Sequence, residues 1–311
     1  MTRPSRAPAG LVVLLVALCV GSAGCTAAGD REGAGAPASL TPPPIGPIPL
    51  LTSATDLALP IEAYLPTREQ QTRLAAAERV LTRDCLVRLG FTYVPPGAAD
   101  ADPILKSRTE RRYGVSDPVE AAGWGFRPPG VATGRPKPVE PPMSRELSVA
   151  MFGAAATDGV PPTAPAGSAG KPGPGCLGEA RFALGEDLAL DTEALASHID
   201  VEAFEHSMAD PRVSRVLALW SGCMRAKGYD YPDPLAAGGD PSWDTAQPTP
   251  REIAAATATV ACKTEHNVVG TWFTVDAAYQ RQAIERDAQA LARVRANNET
   301  SARKAAEVVR G

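Results

Sequence analysis

Histidine is scarce in this chain, with three in 311 residues. Imidazole is the one side chain whose ordinary pKa lies near neutrality, so acid–base catalysis and nitrogen-ligated metals have few places to sit. Aromatic residues are also few, at 5%, and a core short of large rings suits closely packed helices built on small side chains. Strand-like alternation of useful length is missing throughout. So is a basic stripe. With 31 Lys and Arg against 35 Asp and Glu, no cluster neutralises a run of phosphates, and nucleic acid is excluded as a partner. No apolar stretch is long enough to span a bilayer.

The signatures of common chemistries are missing as well. No Cys-x-x-Cys offers dithiol redox work, and no Gly-x-Ser-x-Gly elbow raises a serine nucleophile. Ser144, Ser214 and Ser221 read as cap or helix residues. The one Gly-Lys pair, Gly170-Lys171, runs into Pro172, where a phosphate loop needs Ser or Thr. Glu186-Asp187 is a surface pair with no geometry of its own. No cofactor is expected.

What is present begins at the N-terminus. Arg3 and Arg6 precede an apolar run from Leu11 to Val20, then Gly21-Ser22-Ala23-Gly24-Cys25. A helical run of this length rises only about 15 Å, half of a hydrocarbon core of about 30 Å, which is the size of a signal-peptide core. The small residues before Cys25 resemble a lipobox, with Ser22 where an aliphatic residue is usual. That resemblance implies cleavage after Gly24, a diacylglyceryl thioether on Cys25, and a chain anchored by lipid on the extracytoplasmic face of the cell membrane. The competing reading is a plain signal peptide with Cys25 as a spare thiol. Removing residues 1–24 leaves about 290 residues, enough for one large or two small domains. It also removes Arg3 and Arg6, so the net charge moves from −4 to about −6.

Residues 25–66 are rich in Ala, Gly and Pro, including Pro42-Pro43-Pro44; such a segment buries little and is expected to act as a flexible tether. The rest is expected to be mainly α, in two helical halves, residues 67–190 with a Pro/Gly-rich insert and residues 191–311. In the first half, Thr67-Arg68-Glu69-Gln70 is a capping box, followed by an apolar stripe at Leu74, Ala77, Leu81, Cys85 and Leu89 and a stop at Gly90. Asp117-Pro118 opens a short helix that Trp124 and Phe126 pin to the body, and Ser144–Phe152 and Cys176–Leu184 read as short helices. In the second half, Asp191–Met208 forms a helix, and Asp210-Pro211 starts another with Val213, Val216, Leu217, Trp220 and Met224 inside and Gly228 as its stop. Thr249-Pro250-Arg251-Glu252 is a second capping box, and one long helix is expected from Trp272 to Val309, with Ala277, Ile284 and Leu291 seven apart.

The halves share a motif. Cys85-Leu86-Val87-Arg88-Leu89-Gly90-Phe91-Thr92-Tyr93 matches Cys223-Met224-Arg225-Ala226-Lys227-Gly228-Tyr229-Asp230-Tyr231 in its Cys, Gly, aromatic and Tyr positions. Each copy ends a helix at its glycine and turns an aromatic pair back over it. Each is followed by one further cysteine, Cys176 or Cys262. Four cysteines allow three pairings, and the simplest is Cys85–Cys176 with Cys223–Cys262, one staple per half. Each is worth about 3–4 kcal/mol in the chain-entropy model. The paired aromatics read as packing over helix caps, with a ligand groove as the alternative.

Cys223–Tyr229, Ala261-Cys262-Lys263 and Ala278-Tyr279-Gln280 resemble uncharacterised secreted lipoproteins of Streptomyces-type actinobacteria. The resemblance covers most of the exported chain, more weakly in its first half, and carries no activity with it.

Only one cluster invites metal chemistry. His198, Glu202 and His206 stand four apart on one helical face, with Asp200 and Glu205 nearby. The order is not His-Glu-x-x-His, and the face reads as a solvated one, so no metal is expected. His266 follows Glu265 near a helix end, where the dipole favours a cation. The resulting expectation is a non-catalytic envelope lipoprotein that contacts the membrane through the lipid on Cys25 and binds or scaffolds an envelope partner. Two other classes stand beside it: an envelope hydrolase or metal-binding enzyme using the His198–His206 face, and a solute-binding lipoprotein serving a transporter, which calls for α/β lobes.

Overall fold

In the computed structural model the described residues are 41–95, 105–129, 143–153, 175–185 and 192–310, and every regular element among them is helical. Helix α1 (Arg68–Arg88) begins at the expected capping box. The Gln70 amide donates to Thr67 Oγ1 at 3.2 Å, and Gln70 Oε1 accepts from the Thr67 amide at 2.8 Å. Its inner stripe holds Ala77, Thr82, Cys85 and Leu86. Leu89, expected in that stripe, is 58% exposed, because it caps the helix beyond the last turn and the chain leaves at Gly90. Helix α2 (Pro118–Trp124) is capped by Asp117, which accepts from the amides of Val119 and Glu120. Phe126 pins it, stacked 5.8 Å from Trp243, while Trp124 faces outward. Helices α3 (Arg145–Phe152) and α4 (Gly175–Leu184) complete the first half.

The second half contains α5 (Thr192–Ala209), α6 (Pro211–Ala226), α7 (Pro234–Gly238), α8 (Pro250–Glu265), α9 (Val268–Arg286) and α10 (Ala288–Arg310). The final helix expected as one piece is two. It starts four residues early, after Asn267 in the left-handed region (φ 47°), and breaks at Asp287. The break reorients α10 so that Leu291 and Val294 reach a cluster with Ile61, Ala196 and Ile199. The second capping box forms by half: Thr249 caps α8 by accepting from the Glu252 amide, but the Glu252 carboxylate turns inward.

The main core gathers Trp220, Met224, Val213, Val268, Trp272 and Val275, where α9 packs against α5, α6 and α8. Both large indoles have partners: Trp220 Nε1 donates to Thr259 O at 3.2 Å and Trp272 Nε1 to Ser207 Oγ at 2.9 Å. Complete burial of such rings makes each truncation to Ala cost about 3–5 kcal/mol. Helix α1 is covered by α4 and by α10, through Ala77, Leu184 and Ala305.

One expectation about organisation is corrected. Residues 41–66 are not free tether. From Thr41 on, the chain lies along the helical body: Ala54, Leu59 and Ile61 are buried, a 3-10 turn spans Pro60–Tyr64, Arg212 donates to Pro43 O and Asn267 to Pro49 O. Proline carbonyls that accept from side chains, and three apolar anchors, hold a segment whose composition alone suggests none. Residues 25–40 lie outside the described residues. Whether the halves make one domain or two was left open by the sequence; residues from Thr41 on form one compact unit, and α1 of the first half rests on α10 of the second.

The shared motif is structurally the same in both copies. Gly90 and Gly228 take φ of 87° and 86°, a region open to glycine. Phe91 and Tyr229 each donate, at 3.0 Å, to the carbonyl five residues back, Leu86 and Met224, as in a Schellman cap. Leu86 and Met224 are fully buried. Cys85 lies bonded to Cys176 and Cys223 to Cys262, with Cα separations of 5.5 and 5.8 Å. The closed loops, 91 and 39 residues apart in sequence, correspond to about 4–5 kcal/mol each in the chain-entropy model.

Candidate functional site

The densest chemistry lies under the loop of residues 105–117. Tyr113 inserts its ring into the core, 5.2 Å from the Trp272 ring, and its hydroxyl donates to Asp276 Oδ2 at 2.8 Å. Arg112 beside it grips both oxygens of Asp276, at 2.6 and 3.2 Å, reaches Asp200 at 3.0 Å, and lies 4.9 Å over the Phe204 ring. Gln280 donates to Asp200 and Asp276 and accepts from the Ile61 amide. One network thus joins the 41–66 segment, the loop, α5 and α9. Burial raises the Asp276 carboxyl above its ordinary value; hydrogen bonds from Arg112 and Tyr113 oppose this, and the Asp200 charge adds to it. Burial works against the Arg112 charge, and the bonds to Asp276 more than compensate, so the guanidinium stays charged. Burial and the Asp276 charge push the Tyr113 hydroxyl well up.

On the other side of the loop Lys263 is fully buried. Its Nζ donates to the carbonyls of Tyr113 and Val115. Burial, with the nearby Arg111 charge, pushes its pKa down to about 7. Gly114 (φ 74°) makes the approach possible, because a Cβ there would stand 3.1 Å from Nζ and 3.3 Å from Pro234 O. A second buried pair lies nearby: Arg127 contacts both oxygens of Glu252 at 3.2 and 3.0 Å and donates to Thr245 O at 2.6 Å. Gly125 is needed there too, since its Cβ would meet the Glu252 carboxylate at 2.7 Å. Arg111 and Lys106 both pair with Glu120. Buried charges are stable only when paired or hydrogen-bonded: Arg127 pairs with Glu252 and Arg111 with Glu120, Lys263 relies on backbone carbonyls, and Arg111 Nε is left without a partner among the described residues.

The residues singled out from the sequence fall into four sets. Cys85, Cys176, Cys223 and Cys262 are brought together in pairs. His198, Glu202 and His206 are not. His198 Nε2 stands 3.1 Å from a Glu202 oxygen, but His206 donates from Nδ1 to its own helix at Glu202 O, 2.9 Å, and stacks on Tyr279. Its ring is engaged with core chemistry and does not converge with His198. Ser144 caps α3 and Ser221 donates to Tyr231 O at 2.6 Å. Cys25, Gly170-Lys171 and Glu186-Asp187 lie outside the described residues.

Around the second disulfide, Cys223, Glu265 and His266 place their ligand atoms within 4.8 Å of one another. With the disulfide closed, the Cys223 sulfur carries no thiolate. Two open clefts lie elsewhere. One, of about 430 Å³, is lined by Glu62, Arg68, Lys106 and Arg108; the other, of about 380 Å³, by Met208, Ser221, Arg225 and Asp233.

Sequence reasoning missed the roles of Asp276, Lys263 and Glu252. A signal existed. Each stands where the helical spacing calls for an apolar residue: Lys263 follows Ala256 and Val260, and Asp276 sits between Trp272 and Tyr279. A charge in a buried register marks a group with a partner elsewhere.

Comparison with known proteins finds no matching family model, curated relative or solved structure.

Proposed function

We propose that this chain is a lipid-anchored protein of the cell envelope, held at the extracytoplasmic face of the membrane through Cys25, which binds or scaffolds another envelope component without catalysing a reaction. The resemblance to secreted lipoproteins of Streptomyces-type actinobacteria fits the same reading. The observation that carries it is the body's pair of long-range disulfides in a chain that opens with a lipobox-like sequence. Disulfides of this kind persist in oxidising compartments, and the same chemistry would support a secreted protein.

Helix α10 supplies the docking face. Leu291, Val294, Ser301 and Ala305 are buried. The opposite side exposes Arg293, Glu299, Arg303, Glu307 and Arg310, a charged ridge along 23 residues. The described residues carry no strand, so they lend no support to the two-lobed solute-binding alternative.

Two measurements test this. Cys25→Ala is expected to move the protein from the membrane fraction to the soluble fraction; retention in the membrane counts against the anchor. Mild crosslinking of the tethered protein in detergent, followed by mass spectrometry, is expected to recover a reproducible partner. Arg293→Glu with Arg303→Glu is expected to lose that partner while keeping the helical content. Truncation at Trp272 is a poor test of docking, because it removes Asp276, Tyr279 and Leu291 from the core.

A further inference from the structure

The two staples have different surroundings. Beside Cys85–Cys176 stands the Glu179 carboxylate, and Arg88 already holds it. Beside Cys223–Cys262 the groups belong to metal chemistry. One oxygen of Glu265 stands 3.6 Å from Cys223 Sγ, and the other 3.8 Å from His266 Nε2. Around a tetrahedral zinc with bonds of about 2.0–2.3 Å, neighbouring ligand atoms lie about 3.3–3.8 Å apart. The Glu265 carboxylate thus bridges the other two groups at about this spacing through its two oxygens, and one ligand atom from each of the three lies within 4.8 Å of the others. The fourth, Cys262 Sγ, is bonded to Cys223 Sγ, and the 5.8 Å between their Cα atoms suits two thiolates on one ion once the sulfurs separate. Glu265 ends α8 and His266 caps it, with the His266 amide donating to Cys262 O at 3.2 Å. The carbonyl end of a helix favours a cation.

We propose that reduction of the Cys223–Cys262 disulfide turns this corner into a four-ligand site for a zinc-type divalent metal, formed by the two thiolates, the Glu265 carboxylate and the His266 imidazole. A dithiol reductant supplies two electrons and two protons. Its thiolate attacks Cys223 Sγ, the half-exposed sulfur, Cys262 is the leaving thiolate, and the reductant departs as its own disulfide. Metal binding then displaces both thiol protons. A small-molecule disulfide reverses this by thiol–disulfide exchange: it takes the two electrons and two protons and leaves as two thiols, and the re-formed Cys223–Cys262 bond releases the metal. The site is independent of the docking role of α10.

Cobalt(II) is the probe. The full chain is reduced with a dithiol, freed of reductant without oxygen, and titrated. Sulfur-to-cobalt charge-transfer and tetrahedral d–d bands are expected in the reduced chain and none in the oxidised chain. Cys223→Ala with Cys262→Ala is expected to abolish the bands, and Cys85→Ala with Cys176→Ala to keep them. Outer-shell partners alone are worth about 10–100-fold in metal affinity, so Glu265→Gln with His266→Ala is expected to weaken binding by at least about tenfold. Absence of bands in the reduced chain, or equal affinity in the Glu265/His266 variant, overturns the proposal. If reduction itself costs helical content, circular dichroism decides: recovery on adding cobalt supports the site, and no recovery without bands counts against it.

Discussion

A lysine buried away from any carboxylate keeps its place only if its N–H groups are used, and Lys263 uses them on the carbonyls of Tyr113 and Val115. Lys263→Ala leaves two buried acceptors unmade, each costing about 1–3 kcal/mol, and opens a cavity besides. A loss of about 3–5 kcal/mol is expected in denaturant unfolding, and a loss under 1 kcal/mol would show that the loop closes without it. Burial tends to raise the Asp210 carboxyl, but hydrogen bonds from the Arg212 side chain and amide, and from Tyr279, outweigh burial and hold it below its ordinary value of 3.8. A carboxyl with a depressed folded-state pKa adds stability that is complete above the ordinary value and lost as pH falls through the folded one. The melting temperature is therefore expected to fall on acidification below that range. Asp210→Asn is expected to lower it at neutral pH and to flatten its acid decline; an unchanged slope would remove Asp210 from the account.

Elements divide by where their cause lies in the chain. The starts of α1, α2, α3, α6 and α8 were legible because each cap is local: Thr67, Asp117, Ser144, Asp210 and Thr249 act on amides two or three residues away. The shared Cys–Gly–aromatic motif was legible for the same reason, and through it the disulfide pairing. The ordered run from Thr41 to Pro66 and the break at Asp287 were not, because both depend on surfaces brought from far along the chain. The polar network was missed likewise, since Asp276 has its meaning only once Arg112, 164 residues away, arrives. Helix α10 shows both faces of the matter. Leu291→Ala is expected to cost about 2–5 kcal/mol, whereas Arg293→Glu with Arg303→Glu, on the outward side, is expected to stay within about 0.5 kcal/mol. Comparable losses from both would mean that the outward side is packed.

At the scale of the molecule, a main core with few aromatic rings and its smaller satellite clusters are held by two disulfides among the described residues. Removing a staple of about 4 kcal/mol is expected to lower the melting temperature by on the order of 10 °C, read by calorimetry on Cys85→Ala with Cys176→Ala. A shift of a degree or two would show that the unfolded chain gains little freedom from its loss. The packing of α1 against α10 adds a constraint in time. Helix α1 emerges early and α4 supplies part of its cover, yet the rest, α10, lies in the last stretch of the chain. Until that stretch is synthesised, the inner stripe of α1 has no full cover, and contacts this distant in sequence are slow to form. The nascent protein is therefore at its most vulnerable to proteases and to self-association just before its end, and helpers that hold unfolded chains have the longest part of its synthesis in which to act on it.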